Sequence, residues 1–196
     1  MASTAVAAPA DVMRLLAHEL RQPLSTIESI AYYLTLILPE DQKVREQLDR
    51  IQQLVQQSNW MLTSGQFLSD PLKVTRELLP LRELIDHLDL AGFDVQVDRD
   101  LSTVTADPAL LRAMLENLII LFRQFSAPAV FRAARTSEGA SIEFASSVTG
   151  HRSESSLGPG ATLSIHGARR VVEAHGGSFR IEMDATTGIQ LQVVLT

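Results

Sequence analysis

The chain has 196 residues, 45% of them apolar, with a net charge of −6 at pH 7. That is enough apolar material for one or two folded domains, and the scattering of acids and bases along the chain argues against a nucleic-acid or anionic-membrane surface. The absence of cysteine excludes disulfides, thiolate metal sites and cysteine nucleophiles, and is compatible with a reducing cytosol, so a cytoplasmic location is expected.

Residues 1–10, MASTAVAAPA, have no basic n-region and no sustained apolar run, and read as a disordered lead rather than a signal peptide. No later run approaches the roughly 20 apolar residues of a membrane span. From Asp11 to Leu38, the residues Met13, Leu16, Leu20, Leu24, Ile27, Ala31, Leu34 and Leu38 recur in steps of three and four. They form one stripe on a helix about 42 Å long. Pro39-Glu40-Asp41 interrupts the pattern, with Asp41 as N-cap, and the spacing resumes through Val44, Leu48, Ile51, Val55, Ser58, Leu62 and Gly65. So short a connection makes the two helices antiparallel neighbours. Leu15, Tyr33, Ile37, Leu54 and Met61 widen the stripes beyond what one partner helix covers, which predicts a four-helix bundle made by two chains. Tyr32, Tyr33 and Trp60 fit helix packing.

After Ser69-Asp70-Pro71 the period becomes two. Phe93, Val95 and Val97 alternate with Asp94, Gln96 and Asp98, and Ile189, Leu191, Val193 and Leu195 alternate with mostly polar residues. Further strands are expected over residues 129–136, 140–146 and 178–184. Helical patterns lie at Leu81 to Leu90, at Asp107 to Phe125 behind an Asp-Pro cap, and at Ala161 to Ala174, closed by His175-Gly176-Gly177. Together they predict an α+β chain: a helical hairpin over residues 11–70, then a two-layer α/β domain over 71–196.

One stretch of the first helix is unusual: Ala17-His18-Glu19-Leu20-Arg21-Gln22-Pro23-Leu24. At about 100° per residue, His18 sits about 200° from both Leu16 and Leu20 and faces solvent. Pro23 removes a backbone donor, at about 3 kcal/mol in a helix interior, so the helix is expected to bend beside the histidine. A neutral imidazole is a nucleophile near pH 7, and a neighbouring carboxylate sharpens it.

This octet resembles the phosphoacceptor H-box of bacterial two-component sensor histidine kinases, in which a dimeric hairpin precedes an ATP-binding domain. Gly158-Pro159-Gly160-Ala161-Thr162 and Val171-Val172-Glu173-Ala174-His175-Gly176-Gly177 extend the resemblance, and the helix from Asp107 through Asn117 looks like the one carrying the family's N-box. The resemblance implies that His18 is phosphorylated on nitrogen, that Glu19 accepts a ring proton and orients the imidazole, and that Arg21 and Gln22 complete the site. Gln22 stands where many relatives carry threonine or asparagine to align a water for dephosphorylating the partner. The second half is then a histidine-kinase-type ATPase sandwich.

Three nucleotide contacts of that family are missing. Leu121 stands where a second amide would coordinate Mg²⁺, and it has no oxygen to offer a hard cation. Ser146 replaces the aspartate that recognises adenine, with Val148 in a glycine's place, and Thr162 replaces the third glycine of the phosphate-cradling box. The surviving Gly158 and Gly160 then read as a plain loop before a helix. His175 reads as a helix-end residue, and His87, His151 and His166 have no companions at metal-ligand spacing, so no metal site and no cofactor are expected on this chain.

The favoured expectation is a homodimeric histidine phosphotransfer protein on a pseudokinase scaffold. It would exchange phosphoryl between His18 and the aspartates of response-regulator receiver domains, with Mg²⁺ supplied by the receiver and no ATP used. A silent dimer that docks and regulates a receiver or kinase, and an active ATP-dependent kinase with a divergent pocket, are the alternatives.

Overall fold

The structure, a computed structural model, describes residues 9–38, 41–69, 71–125, 127–147, 154–184 and 188–196. The chain divides into two compact units, residues 1–70 and 71–196.

The first unit is a hairpin of α1 (Pro9–Ile37) and α2 (Gln42–Ser69). α1 begins two residues inside the expected lead, with Pro9 at a first-turn position where its missing donor does no harm; residues 1–8 lie outside the described residues. Asp41 caps α2, its Oδ1 accepting from the Lys43 N–H at 2.8 Å. Pro39 and Glu40 also lie outside the described residues.

The helices meet on small residues. Ala17, Ala31, Leu48 and Val55 are all buried, and Gly65 is so placed that a Cβ there would touch Met13 Sδ at 3.5 Å. Leu16, Leu20 and Ile27, counted by spacing in one stripe with Ala31, are instead 49%, 48% and 44% exposed. The helical wheel explains this: they stand to one side of the Ala17–Ala31 line, so the hairpin contact is narrower than the stripe. Tyr32 and Tyr33 do not pack in the hairpin either, being 61% and 59% exposed. α1 stays helical through Pro23, which therefore does not end the helix. The missing N–H instead leaves the Glu19 carbonyl without its helical donor.

The second unit comprises β1 (Glu77–Pro80), α3 (Leu81–Asp86), β2 (Phe93–Val97), β3 (Thr103–Ala106), α4 (Pro108–Arg123), β4 (Ala129–Arg135), β5 (Ala140–Ser146), α5 (Pro159–Ala174), β6 (Ser178–Asp184) and β7 (Gly188–Leu195), with a 3₁₀ turn at Glu154–Leu157. Five strands form one sheet in the order β2-β4-β5-β7-β6, parallel only between β2 and β4. β1 and β3 make a separate antiparallel pair that the period-two reading did not resolve.

Alternate residues of β4, β5 and β7 are buried, which places the helices on one face. Phe131, Ile142, Phe144 and Leu191 of the sheet meet Leu111, Leu115 and Leu118 of α4 and Val171 of α5 in a core from which water is excluded. Phe144 stacks edge-on against Phe131 and Phe93 and tilted against Phe122. α3 is four residues shorter than its pattern suggested, closing at His87, whose backbone N–H reaches back to the Leu84 carbonyl.

Candidate functional site

On α1, His18, Glu19 and Gln22 are exposed, and Arg21 is half-buried. His18 lies about half a turn around the helix from Leu16, Leu20 and Ile27, so the imidazole and the apolar flank occupy opposite sides of the hairpin. Arg21 leans across to α2. One Nη donates to Thr63 Oγ1 at 3.1 Å and to Gln66 Oε1 at 2.8 Å. The Thr63 hydroxyl in turn donates a hydrogen bond to the Asn59 carbonyl at 3.0 Å. Asn59 Oδ1 is buried with no partner. Sequence reasoning did not single out Thr63 or Gln66, since nothing local marks a polar contact made across 42 and 45 residues of chain.

In the second unit, α4 is opened by Asp107, whose Oδ1 accepts from the Leu110 N–H at 3.1 Å and whose Oδ2 accepts from the Thr75 N–H at 2.9 Å. Burial alone would raise this carboxyl. Backbone N–H groups of Leu110, Thr75 and Ala109, with His175 nearby, outweigh that and hold it below the usual carboxylate range. His175 is 5% exposed and bonded at both ring nitrogens. Nε2 accepts the Asp107 N–H at 2.9 Å, and Nδ1 donates to the Val171 carbonyl at 2.7 Å. The ring therefore ties the end of α5 to the start of α4. Gly177 is required for a different reason: a Cβ there would lie 2.3 Å from the Val194 carbonyl oxygen. Packing thus accounts for His175 and Gly177, and Gly176 between them sits at φ +80°, which favours glycine.

The positions that the resemblance assigns to nucleotide contacts carry groups engaged within the protein. Leu121 is 4% exposed in the core face of α4, beside buried Asn117. The Thr162 hydroxyl donates to the Gly158 carbonyl at 3.0 Å. Gly158 is the N-cap of α5, at φ +91°, and Gly160 belongs to the first turn of the helix rather than to the loop before it. Ser146, at the end of β5, is buried, its Oγ without a hydrogen-bond partner. At the positions that the resemblance assigns to Mg²⁺ and adenine, Leu121 offers no oxygen and Ser146 offers a neutral hydroxyl. Val148 and His151 lie outside the described residues.

Among the described residues no cluster of His, Asp and Glu could hold a metal. His87 Nδ1 lies 2.6 Å from the Glu83 carbonyl, and His166 Nδ1 is 3.4 Å from Arg169. A depression of 420 Å³ touches Glu143, Glu182, Asp184 and Gln190 at one end of the sheet. No described helix is long and apolar enough to cross a membrane.

No known sequence family matches the chain, and no curated protein matches it by sequence. Solved structures do. Full-length ShkA in complex with AMPPNP superposes with a TM-score of 0.63 at 17% identity, over 95% of this chain and 45% of that one. The Acinetobacter baumannii histidine kinase AdeS superposes with a TM-score of 0.57 at 17% identity, over 91% and 97%. The fold is therefore histidine-kinase-like, and the chain spans less than half the length of full-length ShkA.

Proposed function

We propose that this chain is a homodimeric histidine phosphotransfer protein of a two-component relay, exchanging phosphoryl between His18 and receiver-domain aspartates without ATP. The observation that carries the reading is a contrast within one histidine-kinase-like chain: His18 is exposed beside Glu19, whereas the Mg²⁺ position is a leucine buried in the core.

In the transfer, an imidazole nitrogen of His18 forms the P–N bond as the acyl P–O bond of the aspartyl phosphate breaks. The electron pair leaves on the receiver's carboxylate, and the proton on the other ring nitrogen is shared with Glu19. Alignment is most of the work, and the receiver's own Mg²⁺ neutralises the charge developing on the moving group. Dimerisation is supported by the flank of Leu16, Leu20, Ile27 and Leu54, each 44% or more exposed, which is a large apolar surface for a monomer to leave in water.

The test presents chemically phosphorylated receivers and follows acid-labile, base-stable phosphate on this chain. Wild-type protein is expected to label, His18→Ala not at all, and Glu19→Ala to slow by about 10²–10⁴-fold. No labelling from any receiver, or equal labelling of His18→Ala, overturns the phosphotransfer reading in favour of the silent docking dimer. Calorimetric titration with Mg²⁺-ATP is expected to show no specific binding at millimolar nucleotide. Micromolar affinity would restore the ATP-dependent kinase.

A further inference from the structure

Arg21 is the only one of the four H-box polar residues whose side chain is drawn into the hairpin, and its two acceptors are contributed by the opposite helix. His18 and Arg21 are three residues apart, so they share one face of α1 about 60° apart. Around them the helices meet at their smallest residues: Ala17 is fully buried one position before His18, and Gly65 meets Met13 between Thr63 and Gln66 in the chain. A contact with Ala17 on one helix and Gly65 under Met13 on the other is shallow. It brings the backbones close but offers few ridges to stop one helix from rotating against the other. A directional element at this level is the guanidinium, which bonds across to α2. Its planar fork accepts only a narrow range of acceptor positions, and Thr63 is itself fixed by donating to the Asn59 carbonyl.

From this we infer that Arg21, Thr63 and Gln66 form an interhelical clamp that sets the rotation of α1 on α2, and thereby the direction in which the His18 imidazole projects. Arg21 is then a positioning residue, acting through His18 rather than on the phosphoryl group. The clamp sits on the same side of the hairpin as His18 and away from the apolar flank, so it can be broken without touching the surface proposed for dimerisation. Losing it leaves α1 helical but lets the histidine sample directions that are not in line with an incoming acyl phosphate. Small displacements of a reacting atom can reduce rates by about 100-fold. The inference rests on the phosphotransfer reading for its kinetic consequence, but not for the clamp itself.

Two variants separate the roles. Thr63→Val combined with Gln66→Met removes both acceptors and leaves the Arg21 charge in place, and Arg21→Met removes the donor at similar length. Both are expected to slow the maximal rate of transfer from a phosphorylated receiver by 10- to 100-fold, with the receiver concentration at half-maximal rate unchanged within about threefold. Arg21→Lys, a point donor without the fork, is expected to recover only part of the loss. Carbethoxylation of His18 by diethylpyrocarbonate, which needs no alignment, should stay within twofold of wild type.

Wild-type rates in the acceptor double variant with a slow Arg21→Met would overturn the clamp and make Arg21 a direct contact of the phosphoryl group. If no receiver labels even the wild type, the phosphotransfer reading fails, and the clamp is judged by NMR alone. Restrained Arg21 guanidinium N–H signals in the wild type, lost in the double variant together with a shift of the His18 imidazole resonances, support it. Freely rotating Arg21 signals in the wild type, or an unmoved His18, refute it.

Discussion

The two units bury their apolar residues in opposite ways. In the α/β unit, Leu115, Leu118, Phe131 and Phe144 are completely buried, whereas in the hairpin Leu16, Leu20, Ile30 and Leu54 are 48% to 54% exposed. Both regions have apolar residues at regular spacing, so periodicity alone does not distinguish them. What differs is closure. A sheet with helices on one face finishes its own core, while a two-helix hairpin has only one neighbour per helix and leaves its flanks to whatever comes next. The proposed nucleophile belongs to the unfinished region, where exposure suits exchange with partners. The residues at which the resemblance would place nucleotide contacts belong to the finished one, where Leu121 is buried in the core and the Thr162 hydroxyl donates to the Gly158 carbonyl.

The largest expected effect tests the finished side. Phe144→Ala removes a ring that is fully buried among three other phenylalanines, 5.1 to 6.3 Å away between centroids. It should destabilise the α/β unit by about 3–5 kcal/mol in urea unfolding. Dimer formation, followed by sedimentation, should be unaffected. Coupled loss of both would mean that the hairpin depends on the α/β core, and the contrast would fail.

Next in size is a pair of substitutions in the hairpin. Ile51 is 37% exposed and Leu48 only 5%, although they are one turn apart on α2. Ile51→Glu should weaken self-association by about 2 kcal/mol per protomer, the value of burying such a side chain, while the hairpin stays helical by circular dichroism. Leu48→Glu places a carboxylate between α1 and α2 and should unfold the hairpin itself. Equal behaviour of the two would show that the apolar flank is not an interface.

The same contrast explains what the sequence made legible. Period two marked β2 and the body of β7, because alternation survives wherever one sheet face is buried, and the strands expected over residues 140–146 and 178–184 coincide with β5 and β6. β1 and β3 were missed because strands of four residues, one containing Pro80, carry too little alternation to register. In α1 the leucines drew attention to the flank, and the contact itself was hidden at Ala17, whose small side chain matters for letting the helices approach. The exposure of His18 was legible because it follows from spacing within one helix. The Arg21 clamp was not, since its acceptors are chosen by the rotation of a second helix. His175 was placed correctly at a helix end, but its bond to the Asp107 N–H is a tertiary fact with no local signature.

That bond supports the third prediction. His175→Ala leaves the partly buried Asp107 N–H without its acceptor and takes one of two donors from the Val171 carbonyl, which keeps the backbone N–H of residue 175. The expected loss is about 2 kcal/mol of α/β stability, within the range for unsatisfied buried groups. Transfer at His18 should be unchanged, because the two units are independent in this account. A fall in transfer rate matching the fall in stability would contradict that independence.

The smallest expected effect is at Asp107, where a pH scan gives more information than a single stability value. Asparagine is as good an N-cap as aspartate, so Asp107→Asn keeps the bond to the Leu110 N–H, but its amide nitrogen cannot accept from the Thr75 N–H, and the charge and that second bond are lost together. At pH 7 the loss should be about 1–1.5 kcal/mol, the value of a carboxylate at a helix N-terminus together with one exposed hydrogen bond. The carboxyl is held below its ordinary range in the folded protein by the N–H groups of Leu110, Thr75 and Ala109 and by His175, against the opposing effect of burial. Its contribution is therefore complete above the unfolded value of about 3.9, where both states are ionised. Below that pH the unfolded chain takes up the proton first, and stability declines until the folded carboxyl protonates in turn. The wild-type α/β unit should lose stability through this acid window more steeply than Asp107→Asn, and the two curves should converge at its lower end. A constant offset between them at every pH would mean that the Asp107 charge contributes nothing specific to the folded state, leaving the hydrogen bonds of the cap as the whole of its role.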